Sequence, residues 1–374
     1  MSMPRVAIHY LTYNGKDSYR DITRCFKSIQ LLDYPRESLE VICCENPSKH
    51  GASWPFIEKE WMPLAGTDFP RLTIHKNEKD LGYSGANDEA FKIAVKHGCD
   101  YVFLLNQDAD IDPQFLRRAV ERAEADPTIG MVQSFVLLGE ERNLVNSIGN
   151  RYHFLGYGYS GGYRWTREQA EKFFETERKT NPALEVPTAS GAALLVRTKM
   201  AVEIGLFDAP FYMYHEDIDA TFNFRIHGWK SVIEPSSVIY HYYEFSRSIG
   251  KFYWMERNRY VVNLTYLKLP TLMLTALPFF GVELLSLLFA VRGGWWRQKL
   301  RAWGDMWRPS TWRWILARRS RAQRERKITD REFLKWAVGD ISFQEGNTDN
   351  FVVNKIANPL LSTLWRGIYF LIRW

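Results

Sequence analysis

Cysteine is scarce in this chain, and Cys25, Cys43, Cys44 and Cys99 stand at spacings that suit neither a metal knuckle nor a disulfide framework. A reduced, cytoplasmic setting is the expectation. No secretory leader is legible, because "RVAIHYLTY" begins a strand-like run at Arg5. Net charge is also small, +6 from 49 basic and 43 acidic residues. That balance hides an asymmetry: Arg292 to Lys335 holds 14 Lys and Arg against 4 acids, a local +10 that leaves −4 for the remainder. Apolar residues are not lacking. At 46% of 374 residues they supply a packed core and exclude a disordered chain, and the length fits two domains or one large domain with an appendage.

The first half alternates strand-like and helix-like runs. Arg5–Leu11, Glu40–Cys44, Arg71–His75, Tyr101–Leu105 and Gly130–Leu137 read as strands, and Asp21–Leu31, Gly85–Lys96 and Pro113–Ala125 as helices. Such alternation predicts an α/β fold with a largely parallel sheet, whose ligands bind beyond the carboxyl ends of the strands. Polar residues fall at those ends: Thr12, Tyr13 and Asn14 after the first strand, Glu45 and Asn46 after the second, Gln107 and Asp108 after the fourth. "DLGYSGANDEAF" sets Gly82, Gly85 and Asn87 at the mouth of a helix, where exposed amides suit a phosphate or a sugar hydroxyl.

Two acidic signatures stand about a hundred residues apart. Asp108 and Asp110 in "LLNQDADIDP" follow the buried strand, and residues two apart in extended chain point to one side, so both carboxylates can face one cation. Glu216 and Asp217 in "FYMYHEDIDATFNFRIHGW" suit a general base, with Asp219 close by; they also suit the first turn of a helix, where acids complement the dipole. Between the signatures lies "GNRYHFLGYGYSGGYRW", Gly149 to Trp165. Its rings fit stacking on sugar faces, Trp165 among them, and equally a plain hairpin. "SGAALLVR" reads as a strand whose Gly191 and Ala192 leave room for substrate, or for close packing.

Taken in order, "VAIHYLTYNG", "EVICCENPS", "NEKDLGYSGAN", "LLNQDADIDP", "SGAALLVRTKMAVEIGLFDAPFYMYHEDIDATFNFRIHGW" and "VIYHY" resemble the successive motifs of family 2 glycosyltransferases, especially the rhamnosyltransferase-like and galactofuranosyltransferase-like branches. The resemblance implies a GT-A fold over about residues 1–267, with a donor half near 1–138 and an acceptor half near 139–267. It also implies a nucleotide-sugar donor, Mn²⁺ or Mg²⁺, and inversion at the anomeric carbon. On the same footing Asp108, Asp110 and His241 become the metal ligands, Asp217 the base, Glu216 and Asp219 its acceptor-side neighbours, and Glu45 the nucleobase contact, where Asp is the usual residue. Gln107 stands where proline is frequent. Arg247, Arg257 and Arg259 in "SRSIGKFYWMERNRYVVNL" are candidate phosphate grips or a solvated helical face.

After Leu267 the chain changes character. Leu269 to Val291 is 23 residues with one charge, Glu283, and two prolines. It is long enough to cross a bilayer. Pro270, Pro278 and Gly281 favour instead a broken or re-entrant hairpin in one leaflet, and a buried helical pair or a dimer interface is the alternative. Seven of the 14 tryptophans follow between Trp295 and Trp336 among the basic residues, which predicts helices against anionic headgroups rather than nucleic acid. "NPLLSTLWRGIYFLIRW" is a second amphipathic candidate. Residues 268–374 thus read as a helical region on the cytoplasmic membrane face, peripheral or monotopic, and the corollary is a polyprenyl-diphosphate-linked saccharide as acceptor. Transfer to a polyprenyl phosphate, a nucleotidyltransferase and a non-catalytic sugar- or membrane-binding protein are the competing readings.

Overall fold

The computed structural model describes residues 3–242, 250–341, 351 and 353–374. Along the chain, the strands are β1 (Val6–Thr12), β2 (Leu39–Glu45), β3 (Arg71–Lys76), β4 (Tyr101–Leu105), β5 (Ala109–Ile111), β6 (Ile129–Leu138), β7 (Val145–Ser147), β8 (Asn150–Tyr152), β9 (Gly158–Ser160), β10 (Ala193–Arg197) and β11 (Lys230–His241). The helices are α1 (Tyr19–Gln30), α2 (Trp54–Glu60), α3 (Gly82–Lys96), α4 (Phe115–Glu124), α5 (Arg167–Glu177), α6 (Thr198–Ile204), α7 (Glu216–Ile226), α8 (Lys251–Tyr266), α9 (Leu269–Arg292), α10 (Trp296–Asp305), α11 (Pro309–Glu325), α12 (Asp330–Phe333) and α13 (Asn358–Leu371). They form two compact units that interleave in sequence: Met1–Gly149, Ser160–Tyr212 and Lys230–Tyr243 in one, Asn150–Tyr159, Met213–Trp229 and Glu244–Trp374 in the other.

The first unit is built on a nine-stranded sheet in the order β3-β2-β1-β4-β10-β6-β11-β5, with β7 on β6. β3, β2, β1 and β4 run parallel, as the alternation of patterns predicts. Beyond them the sheet is mixed, because β10 enters antiparallel between β4 and β6, and β5 pairs antiparallel with β11. β1, β2 and β4 are almost wholly buried, which is why they read as continuous apolar runs and not as alternating ones. α1 covers one face through Ile22, Cys25, Phe26 and Ile29, spaced as a helical stripe, and Phe26 packs on Phe69 and Trp61. In β11 the register slips between Glu234 and Val238, where Pro235 cannot donate to the ladder and a bulge absorbs it. α3 begins at Gly82 (φ +65°). A Cβ there would lie 2.3 Å from the Tyr212 carbonyl, so the close approach demands glycine.

The second unit is mainly helical, with the β8–β9 ribbon at its start. Of the aromatic stretch, Tyr152, Phe154 and Tyr159 are buried, and Phe154 stacks on Trp365; the hairpin reading holds for them, and only Trp165 stays substantially exposed. α9 departs from the expected broken hairpin. It is one uninterrupted helix with Pro278 inside it, the missing N–H removing a single rung of the ladder. Among the described residues α9 alone is long and apolar enough to cross a membrane. Its polarity is inverted: Thr271, Thr275 and Glu283 are buried, while Met273, Leu277, Phe280, Leu284 and Leu288 are exposed.

What turns that face inward is a buried cluster of two carboxylates and two cations. Lys299 Nζ lies 2.8 Å from Glu256 and 2.9 Å from Glu283, and Arg259 pairs with the same two acids. Trp303 and Tyr260 donate further bonds to Glu283. Burial of four charges is tolerable only because they balance and are hydrogen-bonded. Lys299→Met should therefore leave an uncompensated carboxylate and lower stability by about 3–5 kcal/mol. Urea unfolding followed by tryptophan fluorescence checks this; a loss below about 1 kcal/mol would mean that the cluster is not balanced as described.

Candidate functional site

In the first unit the polar loops at the carboxyl ends of β1, β2 and β4 hold one another. Thr12 Oγ1 donates to Glu45 Oε2, and Ser53 N donates to Glu45 Oε1 at 2.7 Å. Burial nevertheless raises the Glu45 carboxyl above its ordinary value of 4.5. Asn46 donates to the Gly82 carbonyl at 3.0 Å and accepts from Asn77 and Leu81, so it ties β2 to the mouth of α3. Gln107 accepts from Tyr13 N at 3.2 Å, and Asn14 takes the left-handed conformation (φ 80°) beside it in the chain. Asn87 on α3 donates to the Tyr83 carbonyl, and its Oδ1 is buried without a hydrogen-bond partner among the described residues. Tyr83 OH donates to the carbonyl of Gly191 at 2.6 Å, just ahead of β10.

Asp108 and His241 come together although 133 residues separate them: Asp108 Oδ1 lies 3.1 Å from His241 Nε2. The other ring nitrogen, Nδ1, is 3.2 Å from Asn146 Oδ1, which can only accept. With the hydrogen on Nδ1, a neutral ring presents its Nε2 lone pair to a carboxylate oxygen. In that tautomer the two atoms can share a cation, and Asn106 Nδ2, 3.3 Å from Nε2, is a further neighbour; in the other tautomer Nε2–H donates to Asp108. An octahedral ion with ligands at about 2.1 Å sets adjacent donors roughly 3 Å apart, so the pair has the spacing and the hard O and N chemistry for Mg²⁺ or Mn²⁺.

Asp110 is not with them. Its Oδ2 lies 2.7 Å from Arg142 and accepts from Tyr242 OH at 3.3 Å, while Oδ1 is buried and has no hydrogen-bond partner among the described residues. The expectation that Asp108 and Asp110 point to one side rested on an extended chain through both. β5 starts only at Ala109, after a turn at Asp108. Within the β5–β11 ladder Asp110 opposes Tyr240 and Ala109 opposes His241, and adjacent positions face opposite sides. Among the described residues no three His, Cys, Asp or Glu side chains converge as a ligand cluster.

The second acidic signature belongs to the other unit. Glu216 and Asp217 open α7, and the chain enters through Tyr214 (φ 63°) and His215 (φ 67°), left-handed residues that are not glycine. Each such residue costs about 1–3 kcal/mol and persists only where its surroundings over-determine it. Asp217 accepts from Ile218 N at 2.8 Å. Glu216 is buried, one carboxyl oxygen has no hydrogen-bond partner among the described residues, and burial, then the charge of Asp217, pushes its carboxyl well above the ordinary value. Asp219 pairs with Arg318 of α11.

The arginines on α8 do not stand where a phosphate grip needs them. Arg259 is fully buried in the ion cluster and donates to the Leu155 carbonyl, which overturns the phosphate reading for it. Arg257 is bonded to Asn258 Oδ1 and lies over Trp254 and Trp314. Arg247 falls outside the described residues. Asn106, Asn146 and Arg142, which lie beside the acids of the first unit, are not marked by any local motif: Asn106 and Arg142 are common polar residues in loops, and Asn146 is one in the short strand β7.

A sequence profile described as glycosyltransferase like family 2 matches residues 4–263. Two curated relatives from Mycobacterium tuberculosis, strains CDC 1551 / Oshkosh and ATCC 25618 / H37Rv, both named N-acetylglucosaminyl-diphospho-decaprenol L-rhamnosyltransferase, are 26% identical over 218 residues, 54% of this chain and 66% of theirs. The chain thus spans just under two thirds of the length of these relatives. Among solved structures the fold is similar to GalNAc-T7 with UDP, GalNAc and Mn²⁺, at TM-score 0.53, 14% identity, and coverage of 71% of this chain and 48% of that one. It is also similar to the mannosyltransferase PcManGT from Pyrobaculum calidifontis in complex with GDP-Man and Mn²⁺, at TM-score 0.50, 16% identity and 87% of each chain.

Glu216 supplies a pH signature. Because its folded pKa is raised above the unfolded one, the native state holds the proton longer, and stability falls as pH climbs from the ordinary carboxylate range through the raised value. Glu216→Gln removes that slope. The variant's melting temperature should gain on the wild type steadily between about pH 4 and 8; a constant difference across that range would mean that Glu216 is not buried as an acid.

Proposed function

The chain belongs to the glycosyltransferase-like family 2, and from that premise we propose that it transfers a sugar from a nucleoside-diphosphate sugar to a saccharide acceptor, with inversion at the anomeric carbon. The fold is of the GT-A type, mixed α/β with a helical C-terminal region. The observation that carries the reading is the Asp108–His241 pair beside the carboxyl ends of parallel strands, a carboxylate oxygen and an imidazole nitrogen 3.1 Å apart. In this reading they hold a divalent cation, Mn²⁺ or Mg²⁺. Such an ion supplies Lewis acidity that stabilises the departing nucleoside diphosphate. Asp110 would have to leave Arg142 to join them.

Thr12, Tyr13, Asn14, Glu45, Asn46, Gly82, Asn87 and Gln107 are the donor-side residues of the proposal. Glu45, held by Thr12 and Ser53, offers the nucleoside a fixed carboxyl group. Asp217 takes the proton of the acceptor hydroxyl as its oxygen bonds to the anomeric carbon and the bond from that carbon to the phosphate oxygen breaks. One displacement inverts the centre, so no enzyme nucleophile is required. Glu216, whose carboxyl burial pushes well above its ordinary value, is the proposed orienting group for acceptor or sugar, and Gly191, Trp165 and Asp219 are the other acceptor-side residues of the proposal.

The acceptor is proposed to be a polyprenyl-diphosphate-linked saccharide, worked on at the cytoplasmic membrane face, and L-rhamnose is the sugar that the relatives' name puts first for testing. Support comes from α9. Its outward side chains, with Leu277 84% exposed, form an apolar face unlike that of a soluble helix, and the basic, tryptophan-rich helices α10 and α11 follow it. That combination of apolar face and positive charge fits an anionic phospholipid leaflet, with α9 lying in the interface.

Two measurements test the reading. In an assay of UDP-, GDP- and dTDP-sugars with polyprenyl-diphosphate-linked N-acetylglucosamine, Asp217→Asn should lose about 10²–10⁴-fold in kcat and still bind nucleoside diphosphate; turnover near wild type would remove Asp217 as the base. In flotation with phosphatidylglycerol vesicles, the chain should rise with the lipid, and Leu277→Glu with Leu288→Glu should keep it in the dense fraction. A wild-type chain that stays below contradicts the membrane assignment.

A further inference from the structure

Immediately before the acidic pair, Tyr214 and His215 hold two consecutive left-handed conformations that neither side chain favours. Such a segment relaxes unless its peptide groups are held from outside. The holder is Asn258, fully buried on α8: its Nδ2 donates to the Met213 carbonyl at 2.9 Å and to the Tyr214 carbonyl at 2.7 Å. Both amide hydrogens point at backbone oxygens of the strained turn. The orientation of the amide is not arbitrary, because Oδ1 accepts from Arg257 Nε at 2.9 Å and from a second guanidinium nitrogen at 2.7 Å. A flipped amide would set its oxygen against two carbonyls and its NH₂ against a guanidinium.

The next residue of α8 braces the same turn from its far side. His215 Nε2 lies 3.2 Å from the Gly156 carbonyl, and Arg259 donates to the neighbouring Leu155 carbonyl at 3.1 Å. A Cβ on Gly156 would meet Arg259 at 2.7 Å, so that loop is packed directly on α8. Asn258 thus holds the backbone carbonyls of Met213 and Tyr214 directly, and Arg259 holds the loop at Leu155–Gly156 that the His215 ring contacts, which together bear on the direction in which Glu216 and Asp217 leave the helix start.

We propose that Asn258 is a positioning residue for the acidic pair of α7, holding the left-handed turn that aims the Asp217 carboxylate. The inference rests on the reading of Asp217 as the base, but the pin itself can be tested without turnover. Misplacement of a reacting group by about 1 Å costs roughly 10²-fold in rate. Asn258→Ala should therefore lower kcat about 10²-fold with the donor KM within about twofold of wild type. Asn258→Asp should be worse than alanine, since it sets a carboxylate oxygen against two carbonyls; a mere packing role predicts the reverse order. Tyr214→Gly, which removes part of the left-handed cost, should restore part of the rate lost in Asn258→Ala.

Hydrogen exchange of the full chain supplies the independent arm. Amides of residues 213–217 should exchange at least about tenfold faster in Asn258→Ala, with protection elsewhere unchanged. Unchanged exchange there overturns the pin whatever the enzyme does. Faster exchange with kcat preserved overturns the positioning role, and so does an Asn258→Ala chain that loses nucleoside-diphosphate binding with Mn²⁺, because the residue is then only structural. A wild-type chain that binds nucleotide and turns over no donor counts against the functional reading, with the exchange result still deciding the pin.

Discussion

An imidazole nitrogen and a carboxylate oxygen stand 3.1 Å apart where β11 ends beside the start of β5, and the proposed chemistry depends on that pairing. Asn146 Oδ1 lies 3.2 Å from the far ring nitrogen; when it accepts a hydrogen from there, the near nitrogen has its lone pair to give. Gln107 fastens the neighbouring turn to Tyr13, and Glu45 draws Thr12 and Ser53 around the end of β2. Burying such groups is costly unless each is hydrogen-bonded or charge-balanced, and in the proposed reading a divalent cation bridges the facing pair. The chemistry proposed for the chain follows from that requirement more than from any single motif.

The second unit answers a different constraint. α9 hides threonines and a glutamate and displays leucines, the reverse of a helix stabilised by water. Its one buried charge, Glu283, is balanced by Arg259 and Lys299 on α8 and α10, so α8 carries, in neighbouring residues, both the anchor of the inverted helix and the amide that pins the turn before α7. Strain at that turn is sustained by these buried bonds, which is the physical reason a polar, unremarkable residue such as Asn258 matters.

Much of this was legible in the chain itself. Buried parallel strands declare themselves as uninterrupted apolar runs, and β1 to β4 were found within a residue or two for that reason. β10 was found as a strand, but its antiparallel insertion between β4 and β6 was not, since pairing is set by long-range packing and leaves no local pattern. Asp108 and His241 could be named from resemblance. The displacement of Asp110 could not, because it depends on where β5 begins and on Arg142. Arg257 and Arg259 misled for a related reason: charge on a helix predicts solvent or ligand, and only the fold supplies the buried acids and rings that take them instead.

The central claim is that Asp108 and His241 are the fixed part of a divalent-cation site. Titration of Mn²⁺ into the full chain in the presence of a nucleoside diphosphate, followed by electron paramagnetic resonance of the free ion, tests it most directly. Loss of either side chain should weaken Mn²⁺ binding by at least the roughly 10–100-fold seen when only a supporting residue is removed. Binding unchanged in both Asp108→Ala and His241→Ala would contradict the account.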